Sequence, residues 1–228
     1  MALNIVSKID NRVTIKHVLL SVSDKTGLDT FVPALIGACP EVKILSTGGT
    51  YTAIQNMLTA EQASKHLVSV SAFTGQPEMQ GGLVKTLDFK IYLGILSETY
   101  NDAHQKDLAR THAVAIDMVV VNLYPFKQTV AKPDVTPESA RTNIDIGGPC
   151  MVRASAKNYL RVASVTDPVD YAGLINELKA NQGTLSLTTR FSLMKKAFAH
   201  TAAYDTAIAD FFAHVTPERV AQTYQLPS

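Results

Sequence analysis

The chain has 228 residues, and 21 Lys and Arg against 20 Asp and Glu leave a formal net charge of +1. Hydrophobic residues make up 46% and charged residues 18%, the composition of a folded globular unit and not of a disordered chain; a chain this long can bury a core without disulfide or metal staples. Near-neutral charge excludes a general nucleic-acid binder, which needs a basic surplus to displace counterions, but leaves room for a local positive pocket that holds one phosphate.

The elements follow in chain order. His17–Val22 is a short apolar, partly β-branched run that predicts a strand. In LDTFVPALIGA, Leu28, Phe31, Val32 and Leu35 recur at helical spacing, with Pro33 expected near the first turn. VKIL predicts a second strand, STGGT a loop and TYTAIQNML a helix. HLVSV reads as a third strand, SAFTGQPEMQGGLVKTLDF as a long loop of the kind that carries function, and KIYLGIL as a strand. HQKDLART predicts a helix. Met118 to Val121, within IDMVVVNLYPF, is the strongest strand signal and belongs inside a sheet, because it is apolar on both faces.

TPESAR opens a helix with Thr136 as N-cap and Pro137 in the first turn. NIDIGGPCMVRASAKNY runs from loop into helix, LRVASV is another strand, and Asp167 caps the helix of DPVDYAGLINELKA. The tail from Leu187 to Phe212 is one long helical pattern, in which Phe191, Met194, Phe198, Ala202 and Ala209 recur near helical spacing. Strand, loop and helix in alternation are the mark of an α/β fold.

Cys39 and Cys150 make no CxxC pair, which suits a reduced, intracellular protein. His104 and His112 lie in a polar stretch whose spacing suits no common zinc motif, so no metal is expected. The N-terminal MALNIVSKID has no apolar core of signal-peptide length. The most apolar stretch, AVAIDMVVVNLYPF, is broken by Asp117 and Asn122 and falls short of a membrane span. These features predict a cytoplasmic protein without membrane contact.

Ligands of open α/β sheets bind at the carboxyl ends of the strands, and several polar clusters fall there. SVSDKTG follows the first strand and STGGT the second. Hydroxyls, a lysine and glycine-exposed N–H groups at helix starts are what a phosphate needs, although the same residues also serve as plain helix caps. Neither loop has the GxxxxGK[ST] spacing. Lys85 in GGLVKT reads as a site residue or as a surface lysine. Tyr124 in NLYPF reads as a site residue or as a packed aromatic. Asp145 lies between two isoleucines before Gly-Gly-Pro, where an acid needs a partner or a shifted pKa, unless it caps the next helix. Lys157 follows about three helical turns later.

SVSDKTG, STGGT, FTGQPEM, GGLVKT, GIL, IDMVVVNLYPF, NIDIGGP, RASAKN and KAFAHTAAYD stand in one order from Val18 to Phe212. In that order they resemble the IMP cyclohydrolase domain of the bifunctional transformylase/cyclohydrolase. The resemblance implies a methylglyoxal synthase-like fold: a mostly parallel sheet flanked by helices, with an α/β core over about 12–166 and a C-terminal helical extension over about 167–214 of one unit spanning 1–228. The transformylase domain would need hundreds more residues and is not expected here. The resemblance also implies closure of the purine ring of a formylated aminoimidazole-carboxamide ribonucleotide to IMP, with loss of water and without cofactor or metal.

By the same resemblance Lys85 and Tyr124 polarise the formyl oxygen, and Asp145, helped by Lys157, moves the carboxamide proton. Ser23, Lys25, Thr47, Gly48, Gly49, Thr50 and Thr86 hold the 5′-phosphate, and Asn122, Ile146 and Gly147 contact the base side. The partner implied is a ribonucleotide monophosphate, and a homodimer is expected.

The chain departs from the family in one loop. Leu83 stands where an Arg is usual, Asp88 and Phe89 replace His-Pro, and Tyr92 and Leu93 occupy the region of a further His. Leu cannot replace a bidentate clamp, and a carboxylate close to a phosphate would repel it. The second reading is therefore a catalytically altered paralogue or a nucleotide-binding regulatory module of the same fold.

Overall fold

The computed structural model describes residues 5–77 and 85–225. Its strands are β1 (Arg12–Thr14), β2 (His17–Val22), β3 (Lys43–Ser46), β4 (Leu67–Ser69), β5 (Met118–Asn122), β6 (Ala163–Val165) and β7 (Thr184–Ser186). Its helices are α1 (Leu28–Ala38), α2 (Gly48–Met57), α3 (Ala60–His66), α4 (Val70–Thr74), α5 (Phe89–Leu96), α6 (Asp102–Thr111), α7 (Phe126–Val130), α8 (Pro137–Thr142), α9 (Gly147–Lys157), α10 (Tyr171–Ala180), α11 (Leu187–Phe212) and α12 (Pro217–Ala221).

Five strands form one parallel sheet in the order β4-β3-β2-β5-β6. Alternate residues of β2 and β5 go to opposite faces. Val18, Leu20, Met118 and Val120 pack with α1 and α10 on one side; Leu19, Val119 and Val121 pack with α5, α9 and α11 on the other. Both faces are buried, which is why Met118 to Val121 reads as an unbroken apolar run. β1 and β7 pair antiparallel as a separate two-stranded sheet that the sequence reading does not contain.

Three expectations are corrected. KIYLGIL is not a strand but most of α5: Asp88 is its N-cap and accepts the Lys90 N–H at 2.7 Å, and Ile91, Gly94 and Ile95 form the buried face at i, i+3, i+4. Pro33 lies in the second turn of α1, not the first. It is tolerated because it faces solvent, where water can meet the carbonyl that loses its N–H partner. The long C-terminal helix is α11, but its buried face is Arg190, Leu193, Ala197, Thr201, Tyr204 and Ala207, while Phe191 is exposed. Small residues at Ala197 and Thr201 let α11 lie close against α9 and β6.

Two arginines fasten the base of the fold. Arg161 donates to the carbonyls of Gly94, Ile95, Ser97 and Ile116 and pairs with Asp117 at 3.1 Å. Arg190, 0% exposed, donates to the carbonyls of Asp10, Asn11, Tyr159, Leu160 and Leu185, so backbone oxygens satisfy it in place of a carboxylate. No helix among the described residues is long and apolar enough to cross a membrane.

Candidate active site

The winding of the sheet determines where a cleft opens. From β2 the chain proceeds outward through β3 and β4, then returns to β5 on the other side of β2 and continues to β6. The helix after β2 covers one face and those after β5 cover the other. The connections that leave the carboxyl ends of the paired strands β2 and β5 therefore part at a topological switch point. A cleft of about 410 Å³ lies there, lined by the loops after β2, β3 and β5, the start of α9 and the segment around Lys85.

Hydrogen bonds across the switch point shape its floor. The Asn122 side chain, from the end of β5, accepts the N–H groups of Ser23 (2.7 Å) and Asp24 (2.9 Å) and donates to the Asp24 carbonyl (2.8 Å). Asn122 lines the cleft, and its side-chain amide holds the SVSDKTG loop. The Thr50 hydroxyl is committed as well, accepting from the Val22 N–H (3.1 Å) and donating to the Val22 carbonyl (3.0 Å). It ties the first turn of α2 to the end of β2.

The start of α2 turns its first-turn N–H groups toward the cleft, in the manner of an anion site. Gly48 has φ +54°, a left-handed conformation that disfavours side chains, and a Cβ there would lie 2.9 Å from Lys85 Nζ. STGGT, expected to be a loop, opens α2 at Gly48, and the ammonium of Lys85 packs directly on that first turn. Lys25, exposed and donating to the Ser23 carbonyl, approaches Gly49 from the SVSDKTG loop. Two lysines and one helix N-terminus converge on the same space.

Asp145 faces them. Its Oδ1 accepts the Gly148 N–H at 2.9 Å, so it does act on the first turn of α9. Burial raises its pKa above the ordinary carboxylate range, and the N–H groups of Gly148 and Tyr124 oppose the shift in part. A Cβ on Gly148 would lie 2.3 Å from Asp145 Oδ2 and 2.7 Å from Leu123 Cδ2. One on Gly147 would meet Thr86 Oγ1 at 2.8 Å. The Gly-Gly pair is what lets the carboxylate and the Thr86 hydroxyl approach the helix backbone. Tyr124, 47% exposed, stands at the rim.

The cleft brings together Lys85, Tyr124, Asp145, Ser23, Lys25, Thr47, Gly48, Gly49, Thr50, Thr86, Asn122, Ile146 and Gly147. It does not include Lys157. GGPCMVRASAK forms one unbroken helix, so Lys157 lies exposed in the last turn of α9, roughly 15 Å along the axis from Asp145. The expected Lys–Asp contact is absent among the groups that shift Asp145. The neighbouring Asn158 is structural: it donates to the carbonyls of Ile95 (2.7 Å) and Ser97 (3.0 Å).

Asp88 is the cap of α5 and does not line the cleft, so the expected repulsion of phosphate has no geometric basis there. Phe89 is exposed, and the Tyr92 hydroxyl is buried beside Cys150. Leu83 lies outside the described residues. Thr142, Ile144, Gly148 and Met151 line the cleft without having been expected from the sequence. Among the described residues no group of three or more His, Cys, Asp or Glu side chains could hold a metal ion.

This architecture, a parallel sheet with helices on both faces and a cleft at its switch point, defines an MGS-like domain, and residues 31–150 match the family described as the MGS-like domain. The chain belongs to that family. Residues 155–227 match the family described as the AICARFT/IMPCHase bienzyme, so the chain corresponds to the MGS-like, cyclohydrolase portion of a PurH-type protein. It is 44% identical over 216 residues to the bifunctional purine biosynthesis protein PurH of Ruminiclostridium cellulolyticum, covering 92% of this chain and 40% of that protein. It is 45% identical over 214 residues to PurH of Enterococcus faecalis, again with 92% and 40% covered. The chain thus spans about 40% of the length of these relatives. The crystal structure of ForH superposes with a TM-score of 0.70 at 29% identity, over 87% of this chain and 98% of that one.

Proposed function

We propose that the chain is an IMP cyclohydrolase acting on the formylated aminoimidazole-carboxamide ribonucleotide, a cytosolic step of purine synthesis. The carboxamide nitrogen attacks the formyl carbon, the carbinolamine loses water, and IMP results. The reaction is intramolecular, so the protein's work is to hold two arms of one ring together, stabilise an oxyanion and move protons.

The observation that carries this reading is the convergence of Lys85, Tyr124 and Asp145 on one cleft at the switch point. The 5′-phosphate lies at the N-terminus of α2 beside Lys25, where the helix dipole and the ammonium group favour negative charge. Lys85 and Tyr124 donate to the formyl oxygen as it gains charge. Asp145 takes the carboxamide proton; its raised pKa makes it a stronger base than an exposed carboxylate. Lys157 has no part in this account.

The test is ring closure itself. Purified protein is mixed with the formylated ribonucleotide and IMP formation followed by absorbance, with Lys85→Ala alongside. Turnover that the variant lacks supports the reading. Saturable nucleotide binding without turnover refutes it in favour of a nucleotide-binding relative with altered chemistry.

A further inference from the structure

Asp145 belongs to a short connection between α8 and α9, and such a segment needs fixing if its carboxylate is to meet a reacting atom. Its side chain is tied to the Gly148 N–H, but that bond does not hold the backbone of the turn that precedes it. The fixing comes from far along the chain. Tyr204, on the buried face of α11, accepts the Asp145 N–H at 2.8 Å through its hydroxyl and donates the same hydroxyl to the Asn143 carbonyl at 3.1 Å. The two backbone groups flank Ile144, which lines the cleft. One phenol therefore closes both ends of the turn that delivers Asp145.

The ring of Tyr204 has a second neighbour. It meets Phe126 edge to face, with centroids 6.1 Å apart. Phe126 begins α7, two residues after Tyr124, and is 1% exposed. Tyr204 is itself 8% exposed. Its hydroxyl holds the loop of Asp145 while its ring packs on the residue that anchors the loop of Tyr124. These are the two loops whose side chains must keep a fixed separation across the substrate. Burial and the nearby charge of Asp145 also raise the Tyr204 pKa, which keeps the hydroxyl protonated and able to donate to Asn143.

We propose that Tyr204 is a positioning residue of the cleft, and that α11 thereby forms part of the site instead of merely covering the sheet. The inference rests on the ring-closure reading for its effect on rate, but not for its effect on Asp145. Tyr204→Phe keeps the ring against Phe126 and deletes both hydrogen bonds. A misplacement of about 1 Å caused by a remote substitution can cost on the order of a hundredfold in rate. The expected result is a fall of kcat by roughly tenfold or more, with KM and IMP affinity within about twofold of the parent, since the phosphate loops do not touch Tyr204.

The second measurement is the titration of Asp145, by carbon NMR of aspartate-labelled protein with Asp145→Asn for assignment. In Tyr204→Phe the loosened turn admits water, and the Asp145 pKa falls toward the ordinary value. A fall in kcat at unchanged KM together with that shift supports the inference. Unchanged kcat overturns it, as does an unchanged titration, and so does a loss of nucleotide affinity matching the loss of kcat, which would mark a general structural role. If the parent itself gives no turnover, the ring-closure reading fails alone, and the titration decides whether Tyr204 positions Asp145.

Discussion

Asn122 Oδ1 lies 2.7 Å from the Ser23 nitrogen, joining residues 99 positions apart at the carboxyl ends of the paired strands β5 and β2. The bond extends the β2–β5 pairing by one step into the loop that follows β2 and so shapes the floor of the cleft. With the companion bonds to Asp24, it ties the SVSDKTG loop to the end of β5, two residues before Tyr124.

Replacing Asn122 by Ala removes all three bonds and strands the Ser23 and Asp24 N–H groups. The bonds are part-buried or exposed, so water replaces them in part and the loss is about 0.5–1.5 kcal/mol. Urea unfolding is expected to register a loss in that range, and calorimetry a weaker IMP affinity, because Lys25 sits on the freed loop. An unaltered affinity would mean that the loop is held by other contacts.

Asp145 ionises less readily in the folded chain than in the unfolded one, because burial disfavours its charge. The folded state therefore keeps this proton to higher pH. The resulting stability is fully present at low pH and is lost as pH rises from the ordinary carboxylate range through the raised value. Asp145→Asn abolishes this dependence along with turnover. The melting temperature of the variant minus that of the parent should increase between about pH 4 and pH 8. A constant or shrinking difference would contradict the raised pKa.

Gly148 and Gly173 make a matched pair for the close approach at Asp145. Both are helical, but a Cβ on Gly173 meets nothing within 4 Å, whereas one on Gly148 would overlap Asp145 and Leu123. Gly173→Ala is expected to stabilise by about 0.5–1 kcal/mol through helix propensity. Gly148→Ala is expected to destabilise by about 1–3 kcal/mol through overpacking and to lower kcat by displacing the carboxylate. Equal effects of the two substitutions in chemical denaturation would remove the packing argument.

The lining of the cleft was more legible in the sequence than the supports behind it. Lys85, Tyr124 and Asp145 sit in segments whose glycines or prolines mark them in the sequence, Tyr124 just after the apolar run of β5, and the cleft unites them. KIYLGIL misled because nearly every residue is apolar, which hides the helical face; the informative residue was Asp88, acting as a cap. In α11 the bulky Phe191 and Phe198 drew attention from the smaller Ala197 and Thr201 that face the core. β1 and β7 are three-residue strands paired across the length of the chain, and no local pattern encodes that. Lys157 shares a motif with site residues, yet the straight helix between Gly147 and Lys157 carries it away from Asp145. Tyr204 acts through a hydroxyl whose partners lie 59 and 61 positions away.

Lys25 offers a test of the phosphate end that is independent of the chemistry. Its ammonium is exposed and held near the first turn of α2, with a donor contact to the Ser23 carbonyl of 3.4 Å. A charge-assisted bond of this kind contributes about 1.5–3 kcal/mol to binding, or roughly ten- to a hundredfold in affinity. Lys25→Ala should weaken IMP binding by that factor at low ionic strength. The deficit should shrink as salt is raised toward 1 M, because the interaction is solvent-exposed and the screening length falls to about 3 Å. Calorimetric titrations of parent and variant across a salt series measure this directly. A deficit that persists undiminished at high salt would mean that Lys25 holds the loop's shape and does not meet the phosphate.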